Sequence, residues 1–145
     1  MWADPLIRVN KYKEDDLKSQ LAEIREQILY SQTELEKVTQ LLEVERQQYE
    51  QNMCNQAVLP QAMSQFFTYT GKLQDDIQAL AGQIQNLRKM EFGLIETLKA
   101  VAQKRILLEG IRERHMKEQN LKREKKEELL MEDLAQNQFI EERKK

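Results

Sequence analysis

The sequence predicts an all-α fold: a two-helix antiparallel coiled-coil hairpin whose second helix is longer and overhangs the first. Three observations predict it. Of 145 residues, 33% are charged and only 6% aromatic, so the apolar side chains cannot enclose a broad core and must form a line instead. Glycine and proline are scarce, at four and two copies, and Gln, Glu, Lys, Arg, Leu and Ala prevail, as in long helices. Along two stretches separated by a single break, apolar residues recur in alternating steps of four and three, the heptad pattern of a coiled coil.

Asp4-Pro5 opens the first helix, since aspartate can cap the orphan amides and proline tolerates the first helical position. The seam of helix 1 then runs Leu17, Leu21, Ile24, Ile28, Ser31, Leu35, Val38, Leu42, Glu45 and Tyr49. The pattern lapses over Gln51-Asn52-Met53-Cys54-Asn55-Gln56. Pro60 then keeps Leu59 out of the α region and can itself open a new helix. The second seam runs Phe66, Thr70, Leu73, Ile77, Leu80, Ile84, Leu87, Glu91, Leu94, Leu98, Val101, Arg105 and Leu108.

The organisation predicted is a single hairpin over residues 1–145, with helix 1 over 5–52, a turn over 53–60 and helix 2 over 61–140. A short connection makes neighbouring helices antiparallel, and a turn centred near residue 58 sets Leu17 opposite Lys99 and Leu42 opposite Gln74. Residues beyond 112 then lack an intramolecular partner and are expected to be unpaired or frayed, because an unpacked helix is marginal in water.

Several function classes are excluded on the residues present. A two-helix hairpin offers no sheltered cavity for converging catalytic groups, so no enzyme, cofactor or metal site is expected. His115 is the single histidine and Cys54 the single cysteine; neither has the spaced companions of a ligand set, and a lone cysteine agrees with a reducing compartment. The 23 basic and 25 acidic residues are interleaved, and the cluster at Lys122–Lys126 is followed at once by Glu127-Glu128, which reads as a solvated helix face rather than a nucleic-acid arm. The start Met1-Trp2-Ala3-Asp4-Pro5 is unlike a signal peptide, and no apolar run approaches the roughly 18–20 residues that cross a bilayer. A cytoplasmic protein is expected.

What exceeds a plain seam points to binding. Near the open end, Leu6, Ile7, Val9 and Tyr12 face Ile106, Leu107, Leu108 and Ile111, a surplus of apolar groups that suits a plug for a partner's socket, with a thicker zip or a dimer contact as the alternative. Gly71, Gly82 and Gly93 recur every eleven residues as a stripe on the outer face of helix 2, either as neutral surface or as a place of bending or close approach. Polar seam positions Glu45, Glu91 and Arg105 weaken packing but can fix register.

The opening Asp4-Pro5-Leu6-Ile7-Arg8-Val9, the break before Pro60, the run Phe66-x-x-Tyr69-x-x-x-Leu73-x-x-x-Ile77 and the mixed-charge tail Lys122 to Lys145 together resemble the FliJ family. These are the small cytoplasmic coiled-coil proteins of the bacterial flagellar type III export apparatus, with counterparts in injectisomes. The resemblance implies a stalk seated in the hexameric export ATPase, like the central shaft of a rotary ATP synthase, and associated with the inner-membrane export apparatus. It further implies contact with the cytoplasmic domain of the export gate and recycling of export chaperones. Carried over by position, the gate contacts are Leu42, Tyr49, Tyr69 and Leu73, with exposed Phe67 beside Tyr69. The ATPase ring then falls to the open-end set Leu6, Ile7, Val9, Ile106, Leu107 and Ile111. Two other readings stand beside this one: a prefoldin-like holdase, which requires a β-hairpin near residues 51–60, and a structural coiled-coil spacer.

Overall fold

The computed structural model describes residues 1–55 and 59–144. Two helices account for nearly all of them: α1, Ala3–Asn55, and α2, Pro60–Lys144, with no strand among the described residues. Pro60 stands at the first helical position, where its missing N–H goes unneeded, and the Met63 amide donates to the Leu59 carbonyl at 3.1 Å. Helix α1 runs three residues past the expected end at 52, because Met53, Cys54 and Asn55 carry no breaker and the first proline is still five residues away. The predicted turn centre, Gln56 to Val58, lies outside the described residues. Since α1 stays helical through Asn55, the extended chain that a prefoldin-type hairpin needs is missing from residues 51–55.

The helices pack antiparallel, and the second is the longer. Every predicted seam residue on both helices is buried or half-buried, whereas the intervening Lys, Glu and Gln side chains are mostly exposed. The physical cause is the heptad itself, which returns every third or fourth residue to the same face.

The contacts form two compact units. The Asp15–Lys99 unit holds the thicker apolar seam. Ile24, Ile28 and Leu87 form one buried cluster against which Leu94 packs, and Leu21, Leu42, Leu73 and Ile84 are buried in the same unit. Arg25 reaches Glu91 at 3.7 Å, and Tyr49 stacks on Phe66 with centroids 4.0 Å apart, so both pairs fall where the predicted antiparallel register sets them. Polar Thr70 is tolerated in the seam because its hydroxyl donates back to the Phe66 carbonyl at 2.9 Å.

The second unit comprises Met1–Glu14 and Ala100–Lys145. Its apolar core is small: Ala3, Ile7 and Leu108. Buried Asn10 and Glu14 continue the seam of α1 toward its start. From Met116 to Lys144 every α2 residue is exposed, and the chain is nevertheless helical to Lys144. Within this stretch the Arg143 guanidinium lies 5.0 Å from the Phe139 ring centroid, one helical turn away.

None of the glycines has a positive φ, and a Cβ built on any of the four meets nothing within 4 Å. The stripe therefore serves no close approach among the described residues. Gly82→Ala should raise stability by about 0.5–1 kcal/mol, a few degrees in Tm, because alanine removes backbone entropy from the unfolded chain without a clash. Thermal unfolding followed by circular dichroism checks it, and an unchanged or lowered Tm refutes it.

Candidate functional site: two exposed apolar patches on the hairpin

In the unit of Met1–Glu14 and Ala100–Lys145, side chains next to one another in sequence divide sharply between seam and solvent. Ile7 is only 3% exposed and packs with Leu108, while Leu107 is 68% exposed. Leu6, Val9, Tyr12 and Ile106 are exposed with it, and Ile111 is half-buried. Ile7 thus belongs to the seam, and the outward apolar groups are its neighbours. Leu6 and Val9 lie three apart on one flank of α1, and Leu107 and Ile111 lie four apart on one flank of α2. Leu6 and Ile111 each stand one residue before a seam position, Ile7 and Arg112. The two-fold relation of antiparallel helices brings such equivalent flanks to the same side. Trp2, which precedes α1, is exposed as well, and Tyr12 falls by helical phase on the back of α1.

In the seam of this unit lies an ionic clasp. The Arg105 Nε donates to both carboxylate oxygens of Glu14, at 2.8 and 3.0 Å, and its Nη1 donates to both oxygens of Glu109 at 3.1 Å. Glu14 and Arg105 are 91 residues apart in the chain, and their side chains are 9% and 25% exposed. The hydrogen bonds to Glu14 and then to Glu109 raise the Arg105 pKa above its ordinary value, so it remains a cation throughout. Toward the start of α1, Asp4 approaches Arg112 at 3.9 Å. Sequence reasoning marked Arg105 but missed Glu14. Continuing the four-three steps backward from Leu17 gives Glu14, Asn10, Ile7 and Ala3, which is the signal that finds it.

In the Asp15–Lys99 unit the predicted gate residues separate in the same manner. Leu42 and Leu73 are 8% and 6% exposed and sit in the seam, whereas Phe67 is 59% and Tyr69 42% exposed. Half-buried Tyr49 bridges the two sets: it stacks on Phe66 and lies 6.1 Å from Phe67, which meets Phe66 edge-on at 5.5 Å. A cleft of about 340 Å³ opens beside the stack, lined by Glu45, Gln48, Tyr49, Asn52, Ala62, Gln65, Phe66 and Tyr69. Leu41 and Val44, not singled out in the sequence, are exposed on α1 in the same unit.

No group of three or more His, Cys, Asp or Glu residues is placed to hold a metal ion among the described residues. Nor is any helix there long and apolar enough to cross a membrane. What the described residues offer is helix surface: apolar side chains exposed beside the seam in each unit and a helical extension with no buried residue. That defines a class of paired-helix, coiled-coil-like proteins.

The family can be stated directly. The model of the FliJ family, described as Flagellar FliJ protein, matches residues 4–144, nearly the whole chain, and the chain belongs to that family. It is therefore a flagellar export-related protein, from a family of non-enzymatic export components. No curated protein and no solved structure matches the chain.

Proposed function

We propose that this chain is the stalk and adaptor of the flagellar export apparatus: the face built on Leu6, Val9, Leu107 and Ile111 seats in the ring of the export ATPase and stimulates it. The aromatic patch around Phe67 and Tyr69 contacts the cytoplasmic domain of the export gate, and the same protein helps recycle export chaperones at the cytoplasmic side of the inner membrane. The observation that carries this reading is the pair of uncovered apolar patches, which a two-helix seam does not require and which exposed apolar surface on a helix pair usually reserves for partners. Family membership supports partners within the flagellar export apparatus.

The test separates the two patches. Leu6→Ser combined with Leu107→Ser should weaken ring binding and ATPase stimulation by about tenfold or more, since two exposed leucines buried on binding contribute on the order of 1–2 kcal/mol together after the losses of association. Gate binding should persist. Tyr69→Ala should do the reverse. Ile7 is the wrong position for this purpose, because serine there attacks the seam. Binding measurements with the isolated ATPase and gate domain decide the matter, and the stalk reading fails if wild type binds neither or if both variants weaken both partners equally.

A further inference from the structure

We propose that Glu14 and Arg105 are positioning residues for the ring-binding face: their clasp holds α1 and α2 at the register that sets Leu6 and Val9 level with Ile111 and Leu107. The proposal rests on the stalk reading and adds to it a determinant that touches no partner.

The seam in this unit is thin. Its buried apolar side chains are Ala3, Ile7 and Leu108, and alanine and the aliphatics around it accept several rotations and shifts of one helix against another. An apolar layer specifies contact without specifying which layer it meets. A directional ion pair does specify it. Arg105 offers Nε to the Glu14 carboxylate and Nη1 to that of Glu109, and the two contacts at 2.8 to 3.1 Å form together only when Glu14 of α1 stands beside Arg105 and Glu109 one turn along α2. A slip of one heptad in either direction would set Arg105 against Ala3 and Ile7 or against Leu17 and Leu21, and would leave Glu14 without its guanidinium. Polar groups at such seam positions commonly fix register while contributing little net stability. Ile106 and Leu107 follow Arg105 directly, so the clasp also sets the azimuth at which α2 shows them to solvent.

The clasp is removed without removing the fold by Glu14→Leu with Arg105→Leu, which leaves an apolar layer. Spin labels at Arg8 and Gln103, both exposed, report the helix arrangement of this unit. The expected result is a Tm equal to or above wild type, a distance distribution that changes from one narrow peak to a broad or double one, and ring affinity reduced about tenfold. The exchanged pair, Glu14→Arg with Arg105→Glu, should restore both the narrow peak and the affinity, since the guanidinium, now carried by α1, would again meet carboxylates on α2. Leu6→Ser with Leu107→Ser should lose ring affinity with the narrow peak intact. A narrow peak retained in the double-leucine variant overturns the proposal, as does a broadened peak with unchanged ring affinity. Should wild type fail to bind the ring at all, the stalk reading falls and takes the positioning role with it. That outcome is recognisable because the spin-label distances still report whether the clasp orders the helices.

Discussion

Ile28→Asp is expected to separate the helices of the Asp15–Lys99 unit. Ile28 lies with Ile24 and Leu87 in a buried cluster of that unit, and aspartate there replaces an apolar contact with a charge that has no partner. Deleting a buried isoleucine side chain alone costs about 2–5 kcal/mol, and an unpaired carboxylate adds to that. Against a total stability of about 5–15 kcal/mol this is enough to unfold much of the population at ambient temperature. The control is one residue away: Leu29 is exposed, and Leu29→Asp should shift stability by no more than about 0.5 kcal/mol. Circular dichroism melts of both variants measure the difference, and equal Tm values would place the seam elsewhere.

The second large effect concerns the exposed helix beyond Met116. Its backbone bonds are made, but no described side chain of α1 shields them, and a helix without tertiary packing is barely stable in water. Spacings such as Glu113 to Lys117 and Glu118 to Lys122 favour the helix by only about 0.2–0.5 kcal/mol each. The like-charged spacings Lys122 to Lys126 and Glu124 to Glu128 offset part of that. Backbone amides over residues 117–140 should therefore exchange with deuterium about 10³-fold faster than those around Ile24 and Ile28, because the former open locally and the latter only with the seam. Mass-spectrometric exchange on the free protein resolves the two regions, and comparable protection in both would mean that the extension is packed in solution.

Much of this protein is written in local periodicity. The four-three steps from Leu17 to Tyr49 and from Phe66 to Leu108 identify the paired faces, and the lapse before Pro60 identifies the break, because a heptad repeat and a proline act within a few residues of themselves. Family resemblance was likewise visible along the chain, from Asp4-Pro5 to the mixed-charge tail, and the family match over residues 4–144 agrees with it. The candidate patches were legible as composition but not as geometry. Ile7 and Leu107 read alike as apolar residues of the open end, yet one is buried and the other exposed. Leu42 and Leu73 read as contacts by resemblance and as seam by period, and they are buried.

By itself the sequence determined two long helices, the faces on which they pair and the family to which the chain belongs, since each depends on residues near one another or on pattern along the chain. Only the tertiary structure decided which flank residues remain uncovered and that Arg105 finds Glu14 across 91 residues. Exposure of a flank and the partner of a half-buried cation are set by the opposite helix and its register; the period marks Glu14 and Arg105 as seam positions without pairing them.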